Sequence, residues 1–112
     1  MSEHEGVLNI AEIFYPSGVI KARYSRYLSK DAKQFIRHGL YVAYYENGTI
    51  ASEVTYAHGL EQGLSKDFYD NGQVASSGHY EQGKEHGTWN YWSPSGEADI
   101  PVVFVHGVES GT

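Results

Sequence analysis

Residues 40–63 read LYVAYYENGTIASEVTYAHGLEQG, and residues 64–87 follow without a gap as LSKDFYDNGQVASSGHYEQGKEHG. Residues 88–111, TWNYWSPSGEADIPVVFVHGVESG, keep the same 24-residue period, and residues 10–39 are a copy lengthened by six. The glycines carry the register. Gly18, Gly48, Gly72 and Gly96 share one repeat position, Gly59, Gly83 and Gly107 a second, and Gly39, Gly63, Gly87 and Gly111 a third. Self-similarity at a fixed period marks a repeat array, and each unit here is too short to bury a core alone.

Within a unit the patterning is that of a β-hairpin. The first half is rich in aromatic and β-branched residues, as in Leu40-Tyr-Val-Ala-Tyr-Tyr-Glu46. It closes in Pro16-Ser-Gly18, Glu46-Asn-Gly48, Asp70-Asn-Gly72 or Pro94-Ser-Gly96. Pro presets the first central position of a type I turn, and Gly then supplies the left-handed residue of a three-residue hairpin loop. The return strand passes Ile50, Val54 and Tyr56, or Val74 and Tyr80, into a second turn read over residues 59–63. Residues 29–36 are expected to add a single helical turn capped by Ser29. The fold class is all-β: an antiparallel meander of stacked β-hairpins in a single-layer sheet of about eight strands. Residues 1–9 are expected to form a flexible segment, ahead of one four-repeat domain over 10–112 (10–39, 40–63, 64–87, 88–111).

Composition narrows the class further. The 112 residues make one domain, and the absence of cysteine removes disulfides, thiolate metal sites and cysteine nucleophiles together. The start, MSEHEG, is acidic and precedes no long apolar run, so neither an export signal nor a membrane span is expected and the location is read as cytoplasmic. A net charge of -6 disfavours general nucleic-acid or anionic-membrane binding.

The pattern aromatic-Tyr-x-Asn-Gly followed by Tyr-x-x-Gly-x-x-x-Gly resembles the bacterial variant of the MORN repeat. Tyr44-Tyr-Glu-Asn-Gly48, Phe68-Tyr-Asp-Asn-Gly72 and Tyr80-Glu-Gln-Gly-Lys-Glu-His-Gly87 carry the likeness, with Phe14-Tyr-Pro-Ser-Gly18 in the first repeat. The last repeat departs from it at Pro101-Val-Val-Phe-Val105. Proteins built from this repeat include a bacterial family classed as antitoxins, so the resemblance implies a protein-binding module.

Alternation along each strand separates two faces. Odd repeat positions hold Phe14, Tyr44, Phe68 and Trp92 with Ile10, Leu40 and Leu64, which read as the packed stripe. Even positions hold Tyr15, Tyr41, Tyr45, Tyr69, Trp89 and Tyr91, expected to be partly exposed and to contact a partner. Charge is divided as well. Residues 10–39 sum to +4 (six bases against Glu12 and Asp31), and residues 40–112 sum to -8 (ten acids against Lys66 and Lys84). An acidic, tyrosine-studded face suits a basic partner, such as a nuclease toxin, and an antitoxin or immunity-like role. A structural scaffold is the second reading. Val102-Val-Phe-Val105 is apolar on both faces at the expected end of the array, which suggests a homodimer through the C-terminal strand.

Catalysis is not expected. His38, His58, His86 and His106 each precede a glycine, as turn residues do. His58 and His106, two repeats apart, would lie roughly 20 Å from one another, too far to share a metal. His86 with His58 or His106 is less easily excluded, and the expectation is no metal and no cofactor. Thr88-Trp-Asn-Tyr-Trp-Ser-Pro-Ser-Gly96 faintly resembles aromatic glycan-binding hairpins, but Trp occurs in the last repeat alone. Lipid binding would rest on Lys21, Arg23 and Arg26 against an acidic remainder.

Overall fold

A computed structural model describes residues 7–110. Residues 1–6 of the expected flexible segment, and Gly111 and Thr112 of the last repeat, lie outside the described residues. Nine strands form one open sheet in chain order, every neighbour antiparallel: β1 (Asn9–Phe14), β2 (Ile20–Leu28), β3 (Phe35–Tyr44), β4 (Ile50–Ala57), β5 (Leu60–Phe68), β6 (Val74–Glu81), β7 (Lys84–Tyr91), β8 (Val102–Val105) and β9 (Val108–Glu109). With principal extents of 45 × 38 × 17 Å, the molecule is one layer thick.

The two kinds of turn differ in chemistry. At one end of the sheet the loops 16–18, 46–48, 70–72 and 94–96 are three residues long. Each is closed by a glycine amide donating back to the carbonyl three residues before it, as Gly48 N–H does to Tyr45 O at 2.9 Å. At the other end the turns are two residues, tighter than the span read over 59–63. His58-Gly59, Gln82-Gly83 and His106-Gly107 all have positive φ (His58 51°, Gly59 90°), the mirror-image geometry whose twist matches the flanking strands. Gly63 therefore sits inside β5, in the bulged stretch 62–64 that faces the single β4 residue Thr55 between the pairs Val54↔Ser65 and Tyr56↔Glu61.

Residues 29–34 form an irregular turn rather than the expected helical one. Asp31 accepts from both the Ser29 hydroxyl and the Lys33 amide, Ala32 takes φ 59°, and Ser29 N–H closes the loop on Gln34 O at 2.8 Å. These local bonds satisfy the backbone without a helix. The strand of residues 102–105 is not terminal, because β9 pairs with it at Phe104↔Glu109 and Val105↔Val108.

Register assigns the faces. Ala22, Ala43, Ser52, Asp67, Ser76 and Tyr91 are successive cross-strand partners on the even-position face, as are Tyr24, Tyr41, Val54, Ser65 and Gly78. Small residues run through the middle of this face, and it is here that the core lies: Ala11, Ala22, Ser65, Gly78 and Trp89 are buried. The expected packed stripe is thus not the core: Tyr44, Phe68 and Trp92 in it are half-buried and the other four are exposed. Ile10, Phe14, Leu40 and Leu64 on the odd-position face are 55%, 53%, 54% and 49% exposed. Alternation reveals which residues share a face, but the side with room for large rings to lie over Ala, Ser and Gly becomes the packed one.

Candidate functional site

The hydroxyls of Tyr15, Tyr45 and Tyr69 reach across repeat boundaries. They donate to the main-chain carbonyls of Tyr44 (2.7 Å), Phe68 (2.5 Å) and Trp92 (2.7 Å), so one repeat position fastens the next repeat three times over. Asn47 and Asn71 add side-chain amide bonds to the carbonyls of Asp70 and Pro94, at 3.0 and 2.9 Å. These three tyrosines are half-buried, with their polar ends already engaged. Trp89 is 3% exposed, its indole N–H bonds His79 O at 3.1 Å, and its ring occupies the space that a side chain at Gly78 would need. Its surface is therefore in the core.

Tyr41 and Tyr91 lie on the even face in two different settings. Tyr41 stacks on Tyr24 with ring centroids 5.0 Å apart and meets Tyr56 at 5.8 Å. The Arg37 guanidinium stands 5.4, 5.1 and 5.6 Å from the Tyr24, Tyr41 and Tyr56 rings, a cation held on three negative ring faces. Tyr91 belongs to the opposite end of the face, with Tyr80, whose ring meets Trp89 edge-on at 5.2 Å.

Around that second group lie carboxylates. Tyr56 pairs across strands with Glu61, Tyr80 with Glu85, and Asp67 lies on the same face through Ser76, whose hydroxyl donates to it at 2.9 Å. The charges reach the phenols. Burial, then Glu85, Glu61 and Asp67, raises the Tyr80 pKa above its ordinary value, and burial with Glu85 and Glu109 does the same to Tyr91. Tyr56 is raised by burial and Glu61, with Arg37 pulling the other way. Among the described residues no lysine or arginine forms a salt bridge with Glu61, Asp67 or Glu85; the one such bridge joins Arg23 to Glu12 at 3.8 Å on the other face. The division of charge along the sequence thus becomes a division along one face.

Tyr56, Tyr80, Glu61 and Glu85 were not among the sequence candidates. A two-residue turn at His58-Gly59 makes Tyr56 and Glu61 cross-strand partners, and the same count at Gln82-Gly83 joins Tyr80 to Glu85. The Tyr-x-x-Gly-x-Glu spacing would have exposed both pairs had the turn been placed there.

The histidines also have a turn role. The main-chain N–H of His58, Gln82 and His106 donates to His38 Nδ1 (3.0 Å), Gln62 Oε1 (2.8 Å) and His86 Nδ1 (3.2 Å).

Residues 37–58 and 61–82 match the family model described as the MORN repeat variant. The two matched spans lie on β3–β4 and β5–β6. They hold the phenol–carboxylate partners Tyr56, Glu61 and Tyr80 and both Tyr-to-carbonyl acceptor strands of the centre of the array. No curated protein and no solved structure matches the chain. No described helix is long and apolar enough to cross a membrane.

Proposed function

We propose that the chain is a non-catalytic module that captures a basic protein on its even-position face, in an antitoxin or immunity-like role. The observation that carries this reading is the cluster Tyr56, Tyr80, Tyr91, Glu61, Asp67 and Glu85: half-buried rings with polar ends among carboxylates that form no salt bridge with a described lysine or arginine, with Arg37 at its edge beside Tyr56. Rings of this kind give large contact area at small entropic cost, and uncompensated charge speeds the encounter with a partner of opposite sign while rejecting others. Of the residues read from the sequence, Tyr91 belongs to this cluster, and Tyr41 lies on the same face at its Arg37 end. Tyr15, Tyr45, Tyr69 and Trp89 support it from within. Nothing in the cluster resembles a nucleophile with its base.

The test is capture from a source-cell lysate by wild type and by a Glu61→Gln, Asp67→Asn, Glu85→Gln variant of unchanged circular dichroism. Retention of one basic protein by the wild type, at low but not high salt, and its loss from the variant supports the reading. Equal retention by both overturns it.

A second reading, a self-assembling scaffold, has its own observation. The row Ile10, Leu40 and Leu64 on the opposite face is about half exposed, and two such sheets packed face to face would cover it at the ordinary spacing of about 10 Å. A concentration-dependent dimer that Leu40→Ser with Leu64→Ser abolishes favours this reading, and a strictly monomeric wild type removes it.

A further inference from the structure

Three rungs at the two-residue-turn end of the sheet do the same mechanical work with different side chains. In the middle rung Gln62 Oε1 receives the Gln82 N–H, so an amide is sufficient for the job. The outer rungs instead use imidazole pairs, His38 with His58 and His86 with His106, their ring centroids 4.5 and 4.7 Å apart. The turn alone does not require histidine, and the outer rungs differ in what stands beside the pair. At the first rung the Tyr27 hydroxyl occupies His58 Nδ1 at 2.8 Å. At the last rung the neighbour is a carboxylate: Glu81 Oε1 lies 3.6 Å from His106 Nδ1. Ligand atoms of Glu81, His86 and His106 all fall within 4.8 Å of one another.

The geometry points to a zinc-class metal site formed by Glu81, His86 and His106, which clamps the last hairpin of the array to the strands before it. Two imidazole nitrogens and one carboxylate oxygen are a donor set that suits Zn²⁺, with a fourth position left for water or a partner's side chain. Bonds of about 2.0–2.2 Å place tetrahedral ligands somewhat over 3 Å apart, so the three groups need to close by roughly an ångström. Glu81 and His106 are exposed and at a strand end and a turn, where side-chain rotation supplies that movement, and His86 is half-buried and holds the position of the site. The metal replaces the long 3.2 Å bond between the His106 amide and His86 Nδ1 with a coordinate link to the same ring.

A clamp is useful at this place. β8 pairs with β7 over only Gly87–Trp89, and β9 holds β8 by two residue pairs. Glu81 ends β6, His86 lies in β7 and His106 forms the β8–β9 turn, so one ion ties together β6, β7 and the terminal hairpin. The repeat spacing sets His58 and His106 too far apart to share a metal but leaves His86 with His106 open, and Glu81 is the ligand that completes that pair.

The experiment is calorimetric titration of the tag-free full chain with Zn²⁺, together with thermal melts at rising zinc. The inference expects one equivalent bound and a Tm that climbs with zinc concentration. A His86→Gln, His106→Gln double variant recreates the chemistry of the middle rung, so it keeps the turn while losing the ligands. It and Glu81→Gln are each expected to weaken binding by more than roughly tenfold, since even the outer partners of metal ligands matter that much. His38→Gln with His58→Gln is expected to bind as the wild type does. Absence of zinc binding by the wild type, undiminished binding by the folded double variant, or loss of binding in the His38, His58 variant overturns the proposal.

Discussion

The Tyr45 hydroxyl donates to the Phe68 main-chain carbonyl across a repeat boundary, at 2.5 Å, and the pair Tyr69 and Trp92 repeats the bond one unit further on at 2.7 Å. An open single-layer sheet has little buried volume to hold consecutive hairpins together, so a side-chain bond that recurs at each boundary matters more here than in a two-layer fold. Tyr45→Phe keeps the ring and removes the bond. It is expected to lower unfolding free energy by about 1 kcal/mol, and Tyr69→Phe by a similar amount. The two losses should add within roughly 0.5 kcal/mol, because the sites are a repeat apart and share no partner. Urea denaturation of the two single variants and the double variant measures this.

Gly78 and Gly63 separate two reasons for glycine. At Gly78 a β-carbon would run into the Trp89 indole, whereas at Gly63 there is open space and the constraint is a φ of 95°. Gly78→Ala is expected to cost about 1–3 kcal/mol by overpacking and to shift tryptophan emission to the red as Trp89 is displaced. Gly63→Ala is expected to cost about 1–2 kcal/mol from left-handed strain with emission unchanged. Fluorescence-monitored denaturation distinguishes them.

How much of this was legible beforehand follows from the same residues. The hairpin period was readable because left-handed turn positions leave a glycine at every unit, and Gly48, Gly72 and Gly96 do occupy such positions. The three-residue loops followed from the residues before those glycines. The other turn is ambiguous because Gly59 and Gly63 both have positive φ, and nothing local states which is the turn and which lies in a strand bulge. That ambiguity hid the Tyr56–Glu61 and Tyr80–Glu85 pairs. The choice of packed face was likewise not contained in alternation; it depended on Ala22, Ala43, Ser65 and Gly78 being small in register on neighbouring strands, which appears only when the pairing is known.

The phenol–carboxylate cluster makes an alkaline prediction. Tyr80 and Tyr91 ionise later in the folded chain than in the unfolded one. Above about pH 10 the unfolded chain therefore loses protons first, and stability falls as pH rises through the folded pKa values. Glu85→Gln should bring both phenols part of the way back, not all of it, because burial is the larger cause for each. Tyrosinate absorbance against pH, wild type beside variant, records the shift.

Acid behaviour has a small local signature at the irregular turn. The Ser29 hydroxyl, followed by the Lys33 amide, holds the Asp31 carboxyl below its ordinary pKa. A depressed carboxylate contributes stability that is present above the unfolded value and is lost as pH falls through the folded one. Asp31→Asn should lower stability slightly near neutrality and converge on the wild type below about pH 4, where the wild type has lost the contribution too, as pH-dependent thermal melts would show.

The most direct test of the even face as the docking surface is carboxyl footprinting of the complex with whichever basic protein is retained. Glu61, Asp67 and Glu85 mark that face, and Glu12 and Glu53 mark the other. The account predicts that carbodiimide labelling of Glu61, Asp67 and Glu85 falls on binding while Glu12 and Glu53 label as in the free protein. Protection of Glu12 and Glu53, with the other three unchanged, would place the partner on the apolar face and contradict it.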